Sequence, residues 1–232
     1  DETRPTTLKQ RFRASGKTLL RVNNLRQHII SRALADKILS EVNNRLSETD
    51  LILFSDFSYG CLPDYLVEKI TQIGQDAGVI ISADSQVSSQ IGDISRFKRV
   101  SLITPTELEA RLAVNRDAEN LSILSEKLLK KVECDNIILT LGSDGILIRP
   151  SKNLSHGSVP IDRIPALNRQ PKDVAGAGDS LFAMASLALA VGEDIWTAGL
   201  LGSVAAACQV SRVGNIPLTA AEIKQILSTG LS

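Results

Sequence analysis

The chain has 232 residues, 26 basic and 26 acidic side chains, 43% hydrophobic residues and only 3% aromatics. Zero formal charge leaves no electrostatic footprint for nucleic acid or an anionic membrane, and 22% charged residues beside that apolar content argue against disorder. The length suits one α/β domain as readily as two small ones. The near-apolar run Leu181–Val191 is too short to span a bilayer, and no charged segment followed by an apolar stretch opens the chain. Asp1 stands where Met would, so the opening reads as processed or truncated. Cys61, Cys134 and Cys208 form no C-x-x-C pair, a pattern expected of reduced, buried thiols and a cytoplasmic setting. His28 and His156 have no partner at ligand spacing, which leaves chemistry to carboxylates, hydroxyls and backbone.

In chain order, the first 25 residues read as extended, with a strand over Thr18–Val22 after the turn Ser15-Gly16-Lys17. Ile30, Leu34, Ile38, Val42 and Leu46 form a period-four stripe that predicts one amphipathic helix over Gln27–Ser47. The short apolar run Leu51–Phe54 suits a strand buried on both faces of a parallel sheet. A helix over Pro63–Asp76 follows, then strands at Val79–Ala83 and Val100–Ile103. Helices over Thr106–Val114 and Leu121–Val132 precede a strand at Asn136–Thr140. Such alternation predicts right-handed βαβ units and a mainly parallel sheet covered by helices on both faces.

Gly145–Arg149 returns at once after Gly142-Ser143-Asp144, which predicts a hairpin. A loop over Pro150–Pro171 then leads to two helices of small residues, Ser180–Val191 and Thr197–Val210. Ligands of parallel sheets sit beyond the carboxyl ends of the strands, where this sequence puts Asp56, Asp84, Thr104 and Thr140.

Asp173-Val-Ala-Gly-Ala-Gly-Asp179 opens the first small-residue helix. Glycines at a helix start let consecutive N–H groups converge without Cβ obstruction, and the helix dipole favours an anion there. A carboxylate at Asp179 beside an anion site suits a base that faces an attacking hydroxyl. The same glycines also serve as ordinary turn formers. Thr140-Leu-Gly142-Ser143-Asp-Gly145 offers a second phosphate cradle or a plain β-turn. Glu109 is a candidate to reach Mg²⁺ through water, or a surface acid.

Taken in order, T-P-x-x-x-E, T-x-G-x-x-G and G-A-G-D make the chain resemble the ribokinase-type (phosphofructokinase-B) carbohydrate kinases from about Pro5 to Gly214. The resemblance implies a ribokinase-like fold and ATP-dependent phosphoryl transfer to a sugar or sugar phosphate. It makes Asp179 the catalytic base and Gly176, Ala177 and Gly178 the anion hole. Thr140, Gly142, Ser143, Gly145 and Thr106 fall to the nucleotide. Glu109 falls to Mg²⁺, and Asp173 lies near a monovalent cation. Within the family the likeness is greatest to heptose-7-phosphate kinases, through Pro5-Thr6-x-x-Lys9-x-Arg11, Leu20-Arg21 and Ser55-Asp56-x-x-x-Gly60. Lys9, Arg11, Arg21 and Asp56 thereby become candidates for the sugar phosphate, Lys9 and the arginines through forked or charged contacts.

Departures from the family pattern are Thr106 for Asn, Tyr59 for Lys, Ser85-Gln86 for Pro-Lys and Val204 for Asn. Residues 1–25 are expected to be a partial lid of sugar-side strands, and 26–232 a nucleotide-binding core without the family's opening strands. A homodimer is an open assembly, and nucleic acid and membrane are not expected partners. The alternative reading is a non-catalytic nucleotide-binding or regulatory module on the same fold.

Overall fold

The computed structural model describes residues 3–14, 17–86, 92–116, 118, 120–151, 161–214 and 216–229. The turn residues Ser15 and Gly16, and His156, lie outside that set. The extended opening is a two-stranded antiparallel ribbon, β1 (Leu8–Ala14) and β2 (Lys17–Asn24), with Phe12 opposite Leu20 and Gln10 opposite Val22. Leu8, Phe12, Leu20 and Val22 alternate onto one face and stay exposed. On the other face Lys9 lies over the rings of Phe57 and Tyr59, 4.3 and 5.2 Å from their centroids. Arg4 donates to the carbonyls of Arg26, His28 and Tyr59, tying the start of the ribbon to the core.

Helix α1 (Arg32–Arg45) begins later than the apolar stripe predicts. Ile30 belongs to the stripe and is buried, but its N–H bonds the Gly60 carbonyl at 3.0 Å. Ser31 then caps the helix, its Oγ accepting from Leu34 N–H at 3.2 Å.

Six strands form the main sheet, in the order β3 (Leu51–Asp56), β4 (Ile80–Ser85), β5 (Leu102–Ile103), β6 (Asn136–Thr140), β7 (Ile146–Pro150) and β8 (Asp162–Ile164). β3 to β6 are mutually parallel, and β7 runs antiparallel to both β6 and β8. Period-two alternation divides the core. Ile137 and Leu139 join Phe54, Leu66, Ile70, Leu124 and Leu128, under α1, α2 (Asp64–Asp76), α3 (Glu107–Ala113) and α4 (Leu121–Val132). Ile138 instead joins Ile146, Ile148, Leu181, Ala185 and Ala198, under α5 (Ala177–Ala190) and α6 (Ile195–Val210). The expected two-faced cover is present.

Small residues let α6 approach closely. A Cβ on Gly199 would lie 2.4 Å from Ile148 Cδ1, and one on Gly202 3.0 Å from the Leu181 carbonyl oxygen. Two elements lie outside the sequence expectation: β8, inside the presumed loop, and α7 (Ala220–Thr229), which seats Ile223 against Ala205 and Cys208. Cys134 and Cys208 are buried as expected, but Cys61 is exposed. Burial pushes the Cys134 thiol up to about 12, the behaviour of an inert core thiol.

Candidate active site

The carboxyl ends of β3 and β4 carry two buried acids. Asp56 is fully occupied: Oδ1 accepts from Ser58 N–H at 2.8 Å, and Oδ2 accepts from Ser85 Oγ at 3.1 Å and meets Arg96 at 3.1 Å. Arg96 also bonds the Leu62 carbonyl and Asp64, so Asp56 anchors the turn that carries Phe57 and Tyr59. Its carboxylate is engaged in building that turn.

Asp84 lies at the next strand end, 8% exposed, and accepts from the Thr104 hydroxyl at 3.0 Å. Burial pushes its carboxyl up to about 7; Glu109, Asp179 and Asp56 repel its charge and add to the rise, against the pull of Thr104. Two residues on, Gln86 Nε2 donates to Asp179 Oδ1 at 2.8 Å. Thus β4 and the start of α5 meet at Asp179, although 93 residues separate the two side chains in sequence.

The α5 end is shaped by glycine. Gly176 is its N-cap with φ +80°, a left-handed backbone that a Cβ would strain. A Cβ on Gly178 would meet nothing within 4 Å, so the space over the first turn is open. Asp179 sits in that first turn, where the helix dipole favours negative charge. A phosphate oxygen approaching there would meet first-turn N–H groups and no side-chain barrier at 178.

At the ends of β5 and β6, Thr106 caps α3 in a reciprocal box with Glu109. Glu109 N–H donates to Thr106 Oγ1 at 3.2 Å, and Thr106 N–H donates to Glu109 Oε2 at 2.8 Å. One oxygen of Glu109 is thereby held at the helix start. The pattern Thr106-x-x-Glu109 is itself the sequence signature of such a cap. Thr140 bridges to Thr106, its N–H bonding the Pro105 carbonyl at 2.8 Å.

The two hairpin glycines differ in kind. Gly142 has φ +61° and open space beside it. Gly145 has φ +90°, and a Cβ there would stand 2.0 Å from the Ile164 carbonyl oxygen. Ser143 lies in the turn between them.

Before α5, Asp173 staples two loops. Its Oδ1 accepts from Ala175 N–H and its Oδ2 from Gly214 N–H, both at 3.1 Å. Gln209, 1% exposed at the end of α6, donates Nε2–H to the carbonyls of Gly214 and Ala175 at 3.0 and 3.3 Å.

The site therefore brings Asp84, Gln86, Glu109 and Asp179 to one sheet edge. Lys9 is engaged with two aromatic rings, Arg11 is exposed on the ribbon, and the Arg21 side chain is not among those described. Sequence reasoning missed Gln86 as a partner of Asp179 and Gln209 altogether. Both act through contacts distant in sequence, which no local spacing reveals.

Glycines and a carboxylate at the start of α5, beyond the carboxyl ends of a mainly parallel sheet under helices on both faces, are set in the architecture of the ribokinase-like fold. The chain belongs to the pfkB family carbohydrate kinases, whose sequence pattern matches residues 1–221. It is 32% identical over 227 residues to the bifunctional protein HldE of Desulfatibacillum aliphaticivorans, covering 97% of this chain and 44% of that protein. It is 30% identical over 228 residues to HldE of Nitratiruptor sp., covering 97% and 46%. The chain thus spans about half the length of these curated relatives.

Among solved structures, phosphofructokinase-2 from Escherichia coli with substrates and products matches at TM-score 0.70 and 16% identity, over 96% of this chain and 69% of that one. Ribokinase from Arabidopsis thaliana with ribose and ATP matches at TM-score 0.68 and 18% identity, over 91% and 66%. These likenesses establish the fold. Among the described residues, no helix is long and apolar enough to cross a membrane.

Proposed function

We propose that this chain carries the phosphoryl-transfer site of an ATP-dependent sugar or sugar-phosphate kinase, with a heptose 7-phosphate-like acceptor. The observation that carries the reading is Asp179 in the first turn of α5, beside Gly178 and the open space over it. Asp179 accepts the proton of the attacking hydroxyl, and the amides of the Gly176–Asp179 turn hold charge that develops on the transferring phosphoryl group. Gln86 orients Asp179 by donating to Oδ1, leaving Oδ2 to face the acceptor. Thr140, Gly142 and Ser143 offer hydroxyls and backbone to the nucleotide phosphates. Asp84 and Glu109 would hold Mg²⁺ together with phosphate oxygens; burial chiefly raises Asp84, and the added repulsion from Glu109 and Asp179 is what a bound cation would relieve. When bound, that ion supplies charge neutralisation of the phosphates.

Support for a phosphorylated heptose comes from the run at the ribbon that resembles heptose-7-phosphate kinases. The test is a coupled ADP-release assay over free sugars and sugar phosphates, with the product identified by phosphorus NMR. Sugar-dependent ADP release and a new phosphate ester support the kinase. ATP binding without any sugar-dependent turnover supports the non-catalytic module instead, in which Gln86 keeps Asp179 engaged.

A further inference from the structure

Two polar loops meet beneath the anion turn: residues 173–175, which lead into α5, and the turn after α6 that holds Gly214. Their junction contains the oxygens from which a monovalent-cation site is commonly made, namely a carboxylate and convergent backbone carbonyls. In this chain each is met by an N–H. The two Asp173 oxygens accept from Ala175 and Gly214 at 3.1 Å. The Ala175 and Gly214 carbonyls both accept from a single nitrogen, Gln209 Nε2, at 3.3 and 3.0 Å.

Chemistry fixes the amide's orientation. Flipping it would set Oε1 against two carbonyl oxygens, and would turn the amide nitrogen toward Arg212 Nη2, which donates to Oε1 at 3.4 Å. Arg212 in turn pairs with Glu222 at 2.7 Å, so a guanidinium is fixed one hydrogen bond from the junction. Gln209 is 1% exposed, and no water is needed to complete its contacts.

We infer that the Gln209 carboxamide takes the place of a monovalent cation, holding the two loops together so that this chain needs no potassium to shape its anion turn. The nitrogen sits where it bridges both carbonyls, in the space a cation would need. A donor supplied by the chain is present at every potassium concentration. The inference deepens the kinase reading but does not depend on turnover, because its observable is the stability of the loop junction.

The experiment compares thermal unfolding of the whole chain in KCl, LiCl and choline chloride at equal ionic strength. Wild-type protein is expected to melt at the same temperature in all three. Gln209→Ala orphans two carbonyls and vacates the space between them, and should melt roughly 3–10 °C lower in choline chloride. KCl, and not LiCl, should restore most of that loss, since the vacated oxygens then accept the larger ion. Specific stabilisation of the wild type by KCl overturns the inference, because a cation would then bind with Gln209 in place. A variant that melts low and ignores KCl also overturns it, since the amide would be structural cement and nothing more. Should the variant not accumulate as folded protein, the wild-type comparison decides alone. A failed kinase assay leaves either result readable.

Discussion

Gln86 Nε2 donates to Asp179 Oδ1 at 2.8 Å, joining the end of β4 to the first turn of α5. The contact gives the proposed base a fixed orientation before any substrate arrives, and the donor is a neutral amide. Gln86→Ala should lower kcat by roughly 10–100-fold, the size of one hydrogen bond to a carboxylate, and leave the nucleotide Kd unchanged. Steady-state kinetics with calorimetric ADP binding checks this. Equal kcat in the variant would make the contact incidental.

Gly178 and Gly145 look alike in sequence as phosphate-loop glycines, and the structure separates them. Gly178→Val should leave the melting temperature close to wild type, because its Cβ enters open space, but should weaken ADP binding by filling the approach to the anion turn. Gly145→Ala should instead destabilise the fold by about 2–4 kcal/mol, from a left-handed backbone and a Cβ driven into residues 164–166. Denaturant titration and calorimetry on both variants distinguish the roles. A stable Gly145→Ala protein would contradict the packing argument.

Asp84 makes stability depend on pH with a definite sign. Its folded carboxyl stands at about 7 against 3.8 unfolded, so the native state holds more protons between those values. Stability supplied by the protonated form is then full at low pH and falls as pH rises from about 4 to 7, by up to roughly 1.4 kcal/mol per unit. Asp84→Asn should remove this slope, in urea titrations run with a chelator at several pH values. A slope that persists in the variant would place its origin elsewhere.

Much of the fold was legible because it is written in short-range pattern. The apolar runs Leu51–Phe54 and Ile137–Leu139 became β3 and β6, although β3 lies at the sheet edge with Leu53 exposed and is not buried on both faces. The period-four stripe located α1 but not its start, since Ile30 is buried by a non-helical segment that bonds Gly60. β8 escaped notice because Asp162–Ile164 has no apolar run and exists by pairing with β7. The acid and the glycines of the 173–179 segment were visible as a motif. Their supports were not: Gln86, Gln209 and the Arg96–Asp56 pair are each assembled by tertiary contact, and the protonation of Asp84 follows from burial that composition does not encode.

The most direct test of the account is Asp179→Asn, measured by sugar-dependent ADP release with heptose 7-phosphate alongside ADP binding by calorimetry. Loss of the general base should cut kcat by roughly 10²–10⁴ and leave the ADP Kd within a few-fold of wild type, because the 176–178 turn is retained. Turnover equal to wild type would contradict the assignment of Asp179 as the base.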